Sequence, residues 1–355
     1  MRSSTDQADT PARPGRPRYT RQRNGPLRFL APLLAVLVLL VLITESLALG
    51  SRTLSPEEVW QGFLVYDNSV ASKVVWGLRI HRTILAIVVG ASLAVAGVVM
   101  QALTRNPLAE PGILGVNAGA SLAVVAAIGG LGLTSVNQYL PFAFAGAAAA
   151  AVLVHMMSRR SADSGPARLV LAGVALGASL SSITGTITMY NSKIFDSYRF
   201  WVVGSLENRK LEVLLWVAPF LAVGLVLALA SAHSLNALAL GDEQATALGV
   251  NLAVVRGVAF VALTLLCGAA TAAAGPISFI GLVIPHVVRL LVGADQKHLL
   301  AWSVVAGAGL LLAADVAGRL LIRPTELEAG IVTAFIGAPV LLVLAVTNRT
   351  NRRSA

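Results

Sequence analysis

The fold class predicted by the sequence is an all-α membrane protein with ten transmembrane helices, on three observations. Hydrophobic residues make up 56% of the chain and charged residues 12%, with a mean hydropathy of +0.77. A soluble domain carries about 25% charged residues, and a soluble core of 355 residues could not hide this much apolar surface. Apolar runs of about 20 residues, the length that crosses a bilayer, recur ten times. Finally, 17 of the 27 lysines and arginines fall on the N-terminal side of the resulting topology, which is the positive-inside sign. An even number of spans returns the C-terminus to that side, so both termini are expected in the cytoplasm. The net charge of +10 could also suggest nucleic acid. The basic residues are spread over helix ends and loops without aromatic interleaving, so no nucleic-acid partner is expected.

Taken in order, residues 1–26 are polar, proline-rich and basic, and read as a disordered cytoplasmic tail. A signal peptide is the rival reading. However, Leu27–Leu49 is longer than a signal core, and Thr44-Glu45-Ser46 is not a small-x-small cleavage site. It is therefore taken as the first span, 28–49. The second and third spans, 82–103 and 112–132, are joined by a turn of only about nine residues, Thr104 to Gly112. Asn106-Pro107 and Pro111-Gly112 bracket it, which predicts an antiparallel hairpin with a broken backbone at its tip. Irregular backbone at a membrane surface survives only where protein or a water-lined cavity covers it, which points to a transporter. Further spans are expected at 138–157, 167–190, 211–231, 252–274, 279–293, 300–322 and 330–347. The 279–293 span is short and contains Pro285, so it is expected to tilt, kink or borrow residues from Gly275 onward. The whole divides into the tail 1–26, a ten-helix domain 27–348 and a cytoplasmic tail 349–355. Small residues at helical spacing, such as Gly173 and Gly177, allow close helix approach. Cys267, alone in an apolar run, reads as a packed hydrophobe.

Three constellations carry chemistry. Arg79-Ile80-His81-Arg82 lies at the outer mouth of the second span. Its expected partner is Asp315 with Arg319, near the outer end of the ninth, which lie one helical turn apart and can pair along one face. The bland reading is snorkelling anchors; the functional one is a basic rim for acidic residues of an external partner. The second constellation is the cytoplasmic loop Ser234–Leu252. Asp242 and Glu243 suit the first turn of a helix and Gly249 a stop, so two short helices docking on a protein are expected. The third, Gly275–Leu300, holds Pro276, Pro285, His286 and Arg289. His286 has no second ligand at metal spacing beside it.

These residues resemble the FecCD-type permeases, the membrane subunits of ABC importers for ferric siderophores, haem and cobalamin. The resemblance runs from about Leu27 to Arg349. It rests on the R-x-x-R at 79–82, GASLAVAGVVMQALTRNPLAEPGILGVNAGA, LAGVALGA, FWVVGSL, LNALALGDEQATALG, GPISFIGLVIPHVVRLL and ADVAGRLLIRPTELEAGIVTAFIGAPVLL, in the family's order. It departs at His81, where the family usually shows proline. The resemblance implies the type II importer permease fold in the plasma (inner) membrane. It implies a homodimer or a pseudo-dimer with a paralogue, two separate ATPase subunits and an extracytoplasmic substrate-binding protein. Binding-protein docking is then expected at Arg79, Arg82 and Arg319. Leu238, Gly241, Glu243, Ala245 and Gly249 are expected in the ATPase coupling loop. The pathway is expected along the fifth and tenth spans, where Ser179, Ser182 and Thr186 could wet a lumen or bond their own helix, and at Asn106 and Pro107. No cofactor is expected in this chain, and ATP and Mg belong to the ATPase.

The chain has no Gly-Lys dipeptide and so no Walker A loop; energy must come from a partner or an ion gradient. A proton-coupled secondary transporter is the rival, but only Glu45 and Asp315 are carboxylates expected within spans, both near an outer end, while Glu110 is expected at the inner hairpin tip. A membrane enzyme lacks a clustered catalytic set, because His81, His155, His233, His286 and His298 are scattered. A ferric siderophore is the first substrate reading, with haem or cobalamin as alternatives. Arg79→Glu or Arg82→Glu is expected to weaken docking and leave the folded dimer intact.

Overall fold

A computed structural model describes residues 27–50, 54–67, 69–159, 166–322 and 325–353. The basic tail 1–26 lies outside the described residues, as do Arg160 and Arg323. Among those described, fifteen α-helices run in order: α1 (Leu27–Ala48), α2 (Pro56–Leu64), α3 (Val70–Val74), α4 (Ile80–Thr104), α5 (Val116–Leu131), α6 (Val136–Arg159), α7 (Pro166–Tyr190), α8 (Ser192–Val202), α9 (Leu211–Ala230), α10 (Ala232–Ala239), α11 (Asp242–Ala247), α12 (Leu252–Ala274), α13 (Ile280–Val292), α14 (Gln296–Leu321) and α15 (Ala329–Arg353). Six apolar helical stretches are long enough to span, the α3–α4 unit together with α6, α7, α9, α12 and α14. Four shorter ones lie in α1, α5, α13 and α15. These ten coincide with the ten expected spans. A π-helical turn, Val75–Arg79, joins α3 to α4, and His81 Nδ1 lies 3.1 Å from the Gly77 carbonyl oxygen within it.

The core is built around α4, which is buried on almost every face from Val89 to Thr104. It packs against α14, α12 and α13. Small residues permit this: a Cβ on Gly90 would fall 2.4 Å from the Gly307 carbonyl oxygen, and one on Gly307 would fall 2.4 Å from that of Gly90. The same reciprocal approach joins α5 to α6 at Gly119 and Gly146. Lipid is as apolar as leucine, so close backbone packing rather than hydrophobic burial holds such helices together. Gly173 meets the Ile113 carbonyl in the same way, setting α7 against the hairpin. Outward, α7 is open: 17% of its most apolar window is buried, against 78% for the α3–α4 span.

Two stretches of broken backbone meet inside the bundle. Arg105, in the left-handed region at φ 49°, ends α4, and the Asn106 N–H closes onto the Gln101 carbonyl at 3.2 Å. Residues 106–110 then turn back inward to a 3₁₀ turn, Pro111–Leu114. The second break, Gly275–Phe279, separates α12 from α13 and is not helical. The short eighth span therefore borrows nothing from Gly275 onward; it is a half-helix. A Cβ on Gly281 would lie 2.8 Å from Pro111 Cδ and 3.0 Å from the Leu93 carbonyl oxygen. The side chain of Glu110 accepts the Phe279 N–H at 2.6 Å. Gly97, which also touches Gly281, precedes the end of α4 by seven residues, about 10 Å at 1.5 Å per residue. Glu110 is thus folded back into the bundle and not held at the hairpin tip, because the chain after Arg105 reverses before α5 begins.

The short helices α2 and α8 were not expected. Both carry too few apolar residues to register as spans, yet each has a cap. The Ser55 side chain accepts from Glu58 N while Glu58 accepts from Ser55 N, and the Asn191 side chain accepts from Ile194 N.

Candidate functional site: a charged cup, a clamped loop at the opposite end and an apolar cavity

At one end of the bundle, Arg82 grips Asp315 through two nitrogens, Nε at 2.9 Å and Nη2 at 2.7 Å from Oδ1, and reaches Glu326 Oε2 through Nη1 at 2.6 Å. Arg319, one turn beyond Asp315, pairs with the same carboxylate and donates to the Ser46 carbonyl at 2.8 Å. Arg79 donates to the Leu47 and Ala48 carbonyls at 2.7 and 2.8 Å. The last carbonyls of a helix have no intrahelical donor; here Arg79 and Arg319 supply the end of α1. Asp315 and Arg319 are fully buried, and charges so desolvated persist only when paired and hydrogen-bonded. The expected Asp315–Arg319 pair is present. The arginines line a cup of about 230 Å³ with Glu207, Asn208 and Arg209. Sequence reasoning missed Arg209 and Glu326, although Glu326 lies inside the TELEAG run.

These contacts alter the expected outcome of charge reversal. Arg79→Glu would strip the α1 carbonyls of their donor, and Arg82→Glu would face Asp315 and Glu326 with a third carboxylate. Neither would leave the fold intact, because both guanidiniums are internal as well as rim groups.

At the opposite end, α10 and α11 form the expected pair of short helices. Leu238 and Ala245 are fully buried, whereas Glu243 and Gly249 are exposed. Gly241 and Gly249 have φ of 117° and 80°, a region that favours glycine. Asp242 is the hub. Arg256 Nη2 meets its Oδ2 at 2.6 Å, Arg105 pairs with its other oxygen, and Arg105 Nε also donates to the Leu238 carbonyl at 3.0 Å. Partial burial pushes the Asp242 carboxyl up, but the bonds from Arg256 and Arg105 outweigh it and hold it below the usual carboxylate range. The hairpin tip is thereby bolted to the loop. Asn236 ties α10 to the start of α14 through Asp295 Oδ1 at 2.9 Å and the Gln296 N–H at 2.9 Å.

The pathway candidates are not gathered in one place. Ser179, Ser182 and Thr186 are exposed on α7, and each hydroxyl donates to its own helix carbonyl four residues back at 2.9 Å. Asn106 and Pro107 are exposed at the hairpin tip. A separate apolar cavity of about 800 Å³ lies along α15, lined by Val203, Pro276, Phe279, Phe335, Pro339 and Leu342 among others.

Ten apolar helices among the described residues, one of them a half-helix entered through broken backbone, and charged clamps at both ends define a polytopic membrane transport subunit. The chain belongs to the FecCD transport family, matching it over residues 37–347. It is 44% identical to the ferric enterobactin transport system permease protein FepD of Escherichia coli (strain K12), over 87% of this chain and 93% of that protein. Identity to the Fe(3+)-citrate import system permease protein YfmD of Bacillus subtilis (strain 168) is 39%, over 93% and 98%. A solved metal-chelate type ABC transporter in an inward-facing conformation matches with a TM-score of 0.78 at 30% identity, covering 89% of this chain and 98% of that one. The chain is therefore a transport component of the ABC importer permease class and not an enzyme.

Proposed function

We infer that this protein forms the translocation pathway of an ABC importer for a ferric siderophore in the plasma (inner) membrane. The observation that carries the cargo is the 44% identity, over nearly the full length, to a permease named for ferric enterobactin. Relatives named for hemin and vitamin B12 are 36% and 40% identical, and those cargoes are the alternatives. In this reading a substrate-binding protein docks on the outer face over the cup that Arg79, Arg82 and Arg319 line, with acidic side chains meeting its positive rim. Two ATPase subunits, which hold the ATP and Mg, engage the loop carrying Leu238, Gly241, Glu243, Ala245 and Gly249. A second permease, a copy of this chain or a paralogue, covers the open face of α7, so that Ser179, Ser182 and Thr186, with Asn106 and Pro107 below, border the pathway. The bias of basic residues supports cytoplasmic termini.

The test is uptake in proteoliposomes holding the permease, its ATPase and its binding protein. Ferric enterobactin should accumulate only with ATP and the ATPase, and a proton uncoupler should leave the rate unchanged. Uptake abolished by the uncoupler at constant ATP overturns the ATP-driven reading. Uptake of hemin or vitamin B12 in place of ferric enterobactin, ferric citrate and a ferric hydroxamate overturns the siderophore assignment alone.

A further inference from the structure

α13 begins without a cap from its own side chains. Phe279 at its N-cap has φ +71° and makes no side-chain capping bond. The first N–H groups of a helix lack intrahelical acceptors, and the Phe279 N–H donates instead to Glu110 Oε1 at 2.6 Å, across 169 positions of sequence. The carboxylate also meets the positive end of the α13 dipole. Five residues before it, Arg105 is held by Asp242 and by the Leu238 carbonyl of the cytoplasmic loop. The segment between these anchors is internally braced. Ala109 N donates to Asn106 O at 3.1 Å and Leu108 N to Asn106 Oδ1 at 3.0 Å, and just beyond the segment Ile113 N donates to Glu110 O at 3.1 Å. Arg289 Nη2, meeting Gln101 Oε1 at 2.9 Å, ties the far half of α13 to α4. On its other side, Phe279 lies across α15 at Gly337, where a Cβ would fall 2.2 Å from Phe279 Cβ. Phe279 is also a wall of the 800 Å³ cavity.

We propose that Glu110 is a positioning residue for transport, carrying displacement of the cytoplasmic loop to Phe279 and so setting the Phe279–α15 contact that bounds the cavity. A braced segment fixed at both ends passes movement on, whereas a slack loop would absorb it. The proposal rests on the ATP-driven reading above, and its test separates the two. The complete importer is reconstituted with its binding protein, and ferric enterobactin is the probe. Absence of ATP-dependent uptake by the natural chain with every cargo named above, ferric chelates, hemin and vitamin B12 alike, removes the transport reading itself. Given that uptake, Glu110→Ala leaves the Phe279 N–H without its acceptor, whereas Glu110→Gln keeps an acceptor oxygen.

The alanine variant should retain the ATPase rate stimulated by the binding protein to within about twofold, while chelate imported per ATP falls about tenfold; the glutamine variant should keep that ratio within about twofold. An unchanged ratio in Glu110→Ala overturns the proposal. So does a parallel loss of ATPase and uptake, or a glutamine variant as impaired as alanine. Should Glu110→Ala not assemble, Phe279→Gly decides. Glycine accepts φ +71° and keeps the N–H while deleting the ring. Loaded liposomes bearing it should then leak chelate without nucleotide, and tight liposomes overturn the proposal.

Discussion

Asp315 neutralises two guanidiniums at once, from Arg82 and Arg319, with no exposure of its own. Asp315→Asn leaves the buried Arg319 without its counter-charge and Arg82 with Glu326 alone, and the expected loss is about 3–5 kcal/mol, read as a lower midpoint in thermal unfolding in detergent. Most of this cluster was legible in the sequence. The spacing of Asp315 and Arg319 announces a pair along one helix face, and both lie near the same end of the spans as the Arg79–Arg82 run, which makes them its expected partners. Arg82 meets Asp315 from 233 positions away, as expected, whereas Glu326, 244 positions from Arg82, leaves no signal in local spacing. The inner hub behaves differently. Asp242 titrates below the usual carboxylate range when folded, so its ion pairs contribute fully above the unfolded value near pH 3.9 and are lost only as pH falls through the lower folded one. Because Asp242 is partly exposed, that contribution is small and screened by salt. The ATPase coupling ratio should therefore be flat between about pH 5 and 8, and a drop within that window would show that another group governs the loop.

For the helices themselves, apolar run length located all ten spans to within a few residues, because lipid imposes length directly. It was blind to what happens between them. The return of Asn106–Glu110 into the bundle and the non-helical Gly275–Phe279 stretch depend on packing of each against the other, and hydropathy averages over both. The α2 cap was readable as Ser55-Pro56-Glu57-Glu58, a signal that a search for spans passes over. The short helices α10 and α11 were readable from Asp242, Glu243 and Gly249. There the expectation is specific: Glu243→Ala or Gly249→Ala should keep the complex assembled and uncouple ATPase stimulation from uptake. The glycine change adds strain of about 1 kcal/mol at φ 80°. Normal coupling in both variants would remove the loop from the ATPase contact.

For the molecule as a whole, the open face of α7 distinguishes lipid from water. Ser182→Cys, in the assembled importer, should react with a membrane-impermeant maleimide, while Leu37→Cys on the exposed face of α1 should not. Equal protection of both would place α7 against lipid and remove it from the pathway. The natural thiol, Cys267, is buried, so the comparison needs no altered background. The reciprocal contacts Gly90–Gly307 and Gly119–Gly146 carry an implication for how such a chain diverges. When a side chain intrudes on a partner's side chain, a second-site suppressor can shrink the partner. Here the closest atom to each is the other's carbonyl oxygen, which no substitution removes, even where a neighbouring alanine could be trimmed. A library of random double changes should yield revertants at most packed positions and none at these four, which marks them as points where the lineage has no detour.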